Sequence, residues 1–235
     1  MDKQSAIVNM FDNIAHSYDK ANRILSFGSD VVWRRRACAR ALALYGKRGI
    51  TQITDVACGT GDMLRYWQKE VDRGGYAVGE YVGIDPSKEM LKIAQEKLPE
   101  FRFMEGYAQD IPLLDGMTDL LSITYGIRNV VDRQKALQEF HRVLKDGGIL
   151  VILEFTRRKK RTPVDKVVDW YMKKVLPAVG GWISGNKAAY EYLPNSIDSF
   201  LTTEQLIAEL EEVGFKMKEV RSFSFGISTM FIAQK

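Results

Sequence analysis

The sequence predicts an α/β fold: a Rossmann-like, mostly parallel sheet with helices on both faces, an antiparallel C-terminal hairpin and a helical N-terminal lid. Three observations predict it. From residue 51 onward, strand-like apolar runs alternate with helical runs, the pattern of a doubly wound parallel sheet. The first of these strands leads straight into the glycine turn Cys58-Gly59-Thr60-Gly61 and then a helix. The second strand ends on a carboxylate, Asp85, where open α/β sheets bind a ribose diol.

Taken in order, the elements follow from pattern and punctuation. Ile7 to Tyr18 and Asp30 to Leu44 space their apolar residues helically, and the Asn-, Ser- and Gly-rich stretch Tyr18 to Gly28 is expected to separate them. Tyr18, Asp19, Asn22 and Trp33 are unusual for plain outside packing, so residues 1–50 are expected to form a lid over a ligand. Residues 51–160 are the expected cofactor-binding core, with strands near 52–57, 80–85, 101–105, 118–124 and 148–155. Helices are expected near 62–71, 87–98 and 133–144; Pro86 suits a helix first turn, and Lys145-Asp146-Gly147-Gly148 stops the last one. Residues 161–201 read as a substrate-cover insertion with a helix near 163–177. Residues 202–235 supply a helix near 203–213 and a hairpin, Phe215 to Phe223 and Ile227 to Ala233, around Gly226. No repeat or long linker divides the 235 residues, which suit one domain.

Composition excludes several classes. Hydrophobic content of 46% and charged content of 27% are those of an ordinary globular domain. No apolar run reaches the roughly 20 residues of a membrane-spanning helix, and the start Asp2-Lys3-Gln4 lacks a signal-peptide pattern. Two cysteines, Cys38 and Cys58, and two histidines, His16 and His141, make neither a disulfide framework nor a metal site, so no metal is expected. A net charge of +4 does not suggest nucleic acid. The one dense basic run, Arg157 to Arg161, has two readings: a solvated loop, or a patch attracted to anionic lipid headgroups. The expected location is the cytoplasm, with peripheral contact at the inner face of the membrane.

The glycine loop discriminates between ligands. Asp55-Val56-Ala57-Cys58-Gly59-Thr60-Gly61-Asp62 brings backbone N–H groups and a bare main chain to a helix start. A dinucleotide fingerprint would carry glycine at position 64, where Leu64 stands. A phosphate-binding loop would carry lysine, and none lies between Thr51 and Gln68. A two-glycine turn flanked by carboxylates suits a phosphate-free adenosine ligand, S-adenosylmethionine. The fold expected is therefore the class I S-adenosylmethionine-dependent methyltransferase sheet. A competing reading of Asp85 is a cap on the following helix.

Several ordered blocks resemble one family, the ubiquinone/menaquinone biosynthesis C-methyltransferases. They are Tyr18-Asp19-Lys20-Ala21-Asn22, Ser26-Phe27-Gly28, Trp33-Arg34, the glycine loop, and Gly83 to Leu91. Tyr125-Gly126-Ile127-Arg128-Asn129-Val130 is the most distinctive, followed by Leu153-Glu154-Phe155, Ala189 to Leu193 and Ser196-Ile197. The resemblance spans roughly residues 7 to 230. Three positions depart from the family pattern: Asp30 stands for a histidine, Tyr107 for an acidic or amide residue before Ala108, and Asp146 for a proline.

The resemblance implies a methyl transfer to a ring carbon of a prenylated quinol, demethylmenaquinol, by a protein acting as a homodimer or within a quinone-biosynthesis complex. Arg128 would stabilise a ring phenolate, Asn129 would orient the hydroxyl, and Tyr18 would close the site against the ring. Gly59, Thr60 and Gly61 would meet the methionine portion of the donor and Asp85 its ribose. Tyr107 and Ala108 would flank adenine, with Thr124 beneath the sulfonium. The apolar residues Met172, Val175, Leu176, Val179, Trp182 and Ile183 would pack as a helical cover, line a tail groove or touch the membrane. For Arg128 and Asn129 the competing reading is a strand-end salt bridge plus a turn. Two other functions remain open at this point: methylation of a ubiquinone-precursor benzoquinol, and a non-catalytic quinone-binding scaffold.

Overall fold

The computed structural model describes residues 3–157 and 168–235. Its sheet has seven strands in the order β3-β2-β1-β4-β5-β7-β6. The strands are β1 (Gly49–Val56), β2 (Ala77–Asp85), β3 (Arg102–Glu105), β4 (Thr118–Thr124), β5 (Leu144–Glu154), β6 (Lys216–Phe223) and β7 (Ser228–Gln234). The first five pair in parallel; β7 runs antiparallel between β5 and β6. Helices α3 (Asp62–Gly74), α4 (Lys88–Lys97) and α5 (Arg133–Val143) make the crossovers. The central strands are buried on both faces, which is why Leu120 to Ile123 and Ile149 to Leu153 are nearly continuous apolar runs.

The direction in which strands are added to the sheet reverses between β1 and β4. From β1 the strands step outward to β2 and β3, while β4 and β5 build the other half. The crevice beyond these strand ends is the topological switch point, where such sheets bind ligands.

The N-terminal region departs from expectation. Helix α1 (Lys3–Leu25) runs unbroken through Tyr18, Asp19 and Asn22, and α2 (Ser29–Tyr45) follows after a three-residue turn. The polar residues read as a break instead make tertiary bonds. Asp19 accepts from Thr60 Oγ1 at 2.5 Å and Lys97 Nζ at 2.7 Å, and these ties offset the weak helix propensity of the stretch. Strand β5 also begins earlier than expected. Lys145 to Gly148 bulges out of register with β4 and pairs with the C-terminus, Gly147 N–H donating to Lys235 O at 3.0 Å.

The cover over the sheet is more helical than its sequence suggested. The basic run beyond Arg157 and the start of the helix expected near 163–177 lie outside the described residues. From Tyr171–Val175, a widened helical turn, the chain continues as α6 (Leu176–Ser184) and α7 (Lys187–Asp198). Leu176 is buried and Val179 packs beside it on Ile14, Ala21 and Leu25 of α1, whereas Trp182 is exposed. Helix α8 (Thr203–Val213) opens with a capping box, Thr202 and Gln205 each bonding the other's backbone.

Candidate active site

Two adjacent strand ends meet at the switch point through unusual backbone. Ala57, just after β1, has φ 52°, and Tyr125, just after β4, has φ 58°. Left-handed conformations are uncommon for residues with a Cβ, and they gather where a site over-determines them. Gly126 allows the close approach: a Cβ there would lie 2.7 Å from that of Ala57.

On the β1–β2 side the glycine turn and Asp85 form one unit. Gly59 N–H donates to Asp85 Oδ2 at 2.8 Å, and Ser87 N–H donates to Oδ1 at 2.9 Å. The cap of α4 is Ser87, whose hydroxyl accepts from Met90 N–H, so Asp85 is not the cap. Burial pushes the Asp85 carboxyl up to about 6, although the two backbone N–H groups pull it down. A cavity of about 80 Å³ lies here, with Gly59, Asp85, Tyr107, Ala108, Thr124 and Asn129 in its wall.

Of the loop residues expected to meet the donor, Gly59 is in the cavity wall and Thr60 and Gly61 are not. The Thr60 hydroxyl donates to Asp19 on α1. Gly61, at φ 84°, starts α3 against Leu98, whose Cδ1 would lie 3.0 Å from a Cβ. Their work is to tie the loop to its neighbours.

A second cavity, about 480 Å³ and largely apolar, lies beyond α1. Phe11, Tyr18 and Tyr125 line both cavities, so the two share a wall. Burial pushes the Tyr18 phenol up, partly offset by its hydrogen bond to Asn22 and the charges of Arg128 and Arg34. The phenol therefore stays protonated at neutral pH. Arg128 faces the larger cavity and Asn129 the smaller; Asn129 Oδ1 accepts from Tyr192 Oη at 3.1 Å.

Arg128 is held by partners within the protein. Its Nη1 donates to Glu154 Oε1 at 2.7 Å and to Tyr125 O at 2.6 Å, and its Nε to Ser196 Oγ at 3.3 Å. Glu154 is fully buried at the end of β5 and also accepts from Arg128 N–H. A strand-end salt bridge and a short turn, Ile127–Asn129, are thus both present. A carboxylate sealed from water needs such a partner. The guanidinium offers Nη2, which has no hydrogen bond among the described residues.

The full-length sequence comparison decides the family. The family model described as the ubiE/COQ5 methyltransferase family matches residues 1–235. The chain belongs to the ubiE/COQ5 methyltransferase family. It is 55% identical over 235 residues to the ubiquinone/menaquinone biosynthesis C-methyltransferase UbiE of Campylobacter jejuni, covering 100% of both chains. It is 42% identical to the demethylmenaquinone methyltransferase of Thermus thermophilus, over 96% of this chain and 100% of the relative. A solved S-adenosylmethionine-dependent methyltransferase from Thermotoga maritima shares the fold, with a TM-score of 0.63 at 18% identity, covering 97% of this chain and 98% of that one. Another, from Aquifex aeolicus, has a TM-score of 0.58 at 20% identity, covering 83% and 88%. This member of the family is an S-adenosylmethionine-dependent C-methyltransferase of quinone biosynthesis.

The lining of the smaller cavity suits that donor chemically: among the described residues its wall holds no Lys or Arg for a phosphate and one carboxylate, Asp85. Sequence reasoning left out Asp55 and Arg34. Asp55 Oδ1 accepts from Ser122 Oγ at 2.6 Å, but its buried Oδ2 has no partner, and neither has the buried Nε of Arg34. Burial raises the Asp55 carboxyl to about 7, against the pull of Ser122 and Arg34. The run Asp55 to Asp62 and the pair Trp33-Arg34 carried these residues in plain view; what the sequence could not show was that their polar atoms are buried without partners. Asp30, one of the departures from the family pattern, accepts from Arg23 Nη1 at 2.6 Å, Arg34 Nη1 at 2.7 Å and Ser26 Oγ at 2.6 Å.

Proposed function

We propose that this protein methylates a ring carbon of demethylmenaquinol, giving menaquinol, with its prenylated substrate drawn from the inner face of the cytoplasmic membrane. The observation that carries the reading is the shared wall of Phe11, Tyr18 and Tyr125 between a phosphate-free donor cleft and a large apolar chamber. In-line transfer requires two ligands meeting end to end with water excluded.

Each residue's task follows from its surroundings. Asp85, once freed from Gly59 N–H, would accept the ribose hydroxyls. Asp55 Oδ2 would take an ammonium, and Tyr107 and Ala108 would flank adenine. When bound, S-adenosylmethionine supplies an electrophilic methyl that needs no further activation. Arg128, through Nη2, would steady negative charge on a ring oxygen, raising electron density at the neighbouring carbon. Its pairing with Glu154 fixes the fork in place, which favours preorganisation over raw charge. Asn129, held by Tyr192, would orient the hydroxyl, and protonated Tyr18 would seal the ring from water. Helix α1 is the lid: ligand cavities run to roughly 300–1,000 Å³, so a donor can enter the space of about 80 Å³ only if α1 shifts.

The test is incubation with isotopically labelled donor and, separately, demethylmenaquinol and a demethoxyubiquinol-type benzoquinol, followed by mass analysis. One methyl on the naphthoquinol ring carbon is expected. Methylation confined to the benzoquinol would transfer the activity to the ubiquinone branch. No methylation together with no calorimetric heat on adding the donor would leave only a scaffold.

A further inference from the structure

Three large aromatic side chains stand in water around the mouth of the apolar chamber. Phe27 and Trp170 are 83% and 60% exposed although both line it, and Phe225 is 81% exposed between the lining residues Ser224 and Ile227. They come from three separate segments: the α1–α2 turn, the turn before α6, and the β6–β7 turn. The first two segments are fastened together, Tyr171 Oη donating to Leu25 O at 2.8 Å with its ring 6.1 Å from that of Phe27.

Two of the three sit on backbone that folding alone would not choose for them. Phe27 has φ 51° and Phe225 φ 57°, a left-handed conformation that is costly for an L-residue and far less so for glycine or asparagine. Neither ring recovers that cost by burial within the chain. Strained, exposed aromatics at a cavity mouth suit a partner that takes the rings in.

The surrounding charge identifies the partner. Of the eight Lys and Arg residues between Lys20 and Arg48, Arg34 is buried and Arg23, Arg35 and Arg40 pair with carboxylates, which leaves Lys20 and Arg36 among those exposed without an ion pair among the described residues. Arg36 lies exposed one helical turn beyond the half-exposed Val32, and Lys174 lies exposed four residues after Trp170. Apolar tips ringed by cations complement an interface of acyl chains and anionic headgroups.

We propose that Phe27, Trp170 and Phe225 form a docking rim that inserts into an anionic phospholipid surface, setting the chamber mouth against the bilayer. The inference rests on the reading of the chamber as the seat of a prenylated quinol. That tail then passes from lipid to chamber without crossing water.

The test is co-sedimentation of the full-length protein with vesicles of phosphatidylcholine alone or with phosphatidylglycerol added. The variant combines Phe27→Gly, Trp170→Ser and Phe225→Gly. Glycine relieves both left-handed positions, so the variant should melt no lower than the parent. The parent should bind the anionic vesicles and the variant should bind on the order of a hundredfold more weakly, since each ring removed forfeits transfer energy worth roughly fivefold in affinity. A second variant, Phe225→Gly alone, should fall between them. Equal binding by parent and variants, or no binding by the parent, overturns the rim. Binding indifferent to phosphatidylglycerol overturns the anionic assignment. A parent dimer in sedimentation equilibrium that the triple variant lacks would give the surface to a second copy instead. Failure of the parent to methylate a short-tailed quinol in free solution counts against the methyl-transfer reading, and the vesicle result still judges the rim.

Discussion

Arg128→Ala removes a charge in two senses, and the structure allows them to be separated. The side chain is 7% exposed, and its loss strands Glu154, which is 0% exposed, without its cation. Breaking a buried pair from one side costs about 3–5 kcal/mol. For a domain of this size each kcal/mol lowers the melting temperature by roughly 2–4 °C, so a drop of roughly 6–20 °C is expected. Glu154→Gln in the same chain removes the stranded charge while keeping a hydrogen-bonding side chain of the same length. The double variant Arg128→Ala/Glu154→Gln should therefore regain most of the lost stability. Turnover should not follow: losing a donor aimed at a developing oxyanion costs about 10²–10³-fold in rate. Thermal unfolding and methyl transfer at saturating donor, run side by side on both variants, read the two effects. If turnover returns together with stability, Arg128 is a structural partner of Glu154 and the electrostatic role assigned to it is wrong.

Three further outcomes are expected. Asp85 titrates near 6 in the fold against 3.8 ordinarily, so its contribution to stability is full below about 4 and lost as pH rises through about 6. Asp85→Asn should then melt higher than the parent above that range, by up to ~3 kcal/mol, converge with it in acid, and bind the donor far more weakly by calorimetry; unaltered donor affinity would remove Asp85 from the ribose site. Combining Asp12→Ala with Asp19→Ala deletes the bonds from α1 to Ser87 and to Thr60 and Lys97, and at about 1 kcal/mol for the pair of contacts should speed donor release several-fold in stopped flow; an unchanged rate would mean α1 is no lid. Asp30→Asn leaves Arg34, 7% exposed, with a weakened partner, and should cost a few kcal/mol at most, visible as a lower melting temperature; an unchanged melt would show that the Arg23–Asp30–Arg34 cluster contributes little.

The parallel core was readable because its strands are short, apolar and bounded by turn residues, and because the residues from Asp55 to Asp62 specify turn and helix start together. The C-terminal hairpin was equally legible and folds as β6 and β7. Helix α7 was not, since Pro194 in its middle reads as a breaker; the helix passes through it, with Ala189 and Tyr190 buried in the α1–α6 cluster. The break expected after Tyr18 failed for a related reason. Asp19 looks like a loop residue until Thr60 and Lys97 arrive from other segments, and Asn22 bonds Tyr18 one turn back on the same helix. The Arg128–Glu154 bond joins residues 26 apart through the adjacency of β4 and β5. A one-dimensional pattern names both side chains without showing that they meet. Gly59 and Asp85 lie together at the crevice, whereas the Thr60 hydroxyl is taken up by Asp19 and Gly61 packs near Leu98, contacts that no local pattern announces.

Helix α1 stops both compartments with a single rod: Ile7 and Val8 close the donor space, Met10, Ile14 and Leu25 the apolar one, and Phe11 and Tyr18 the junction. If α1 is the lid proposed above, the rod that must swing to free the donor also walls the apolar chamber, so donor exchange disturbs both spaces and can set the pace of turnover.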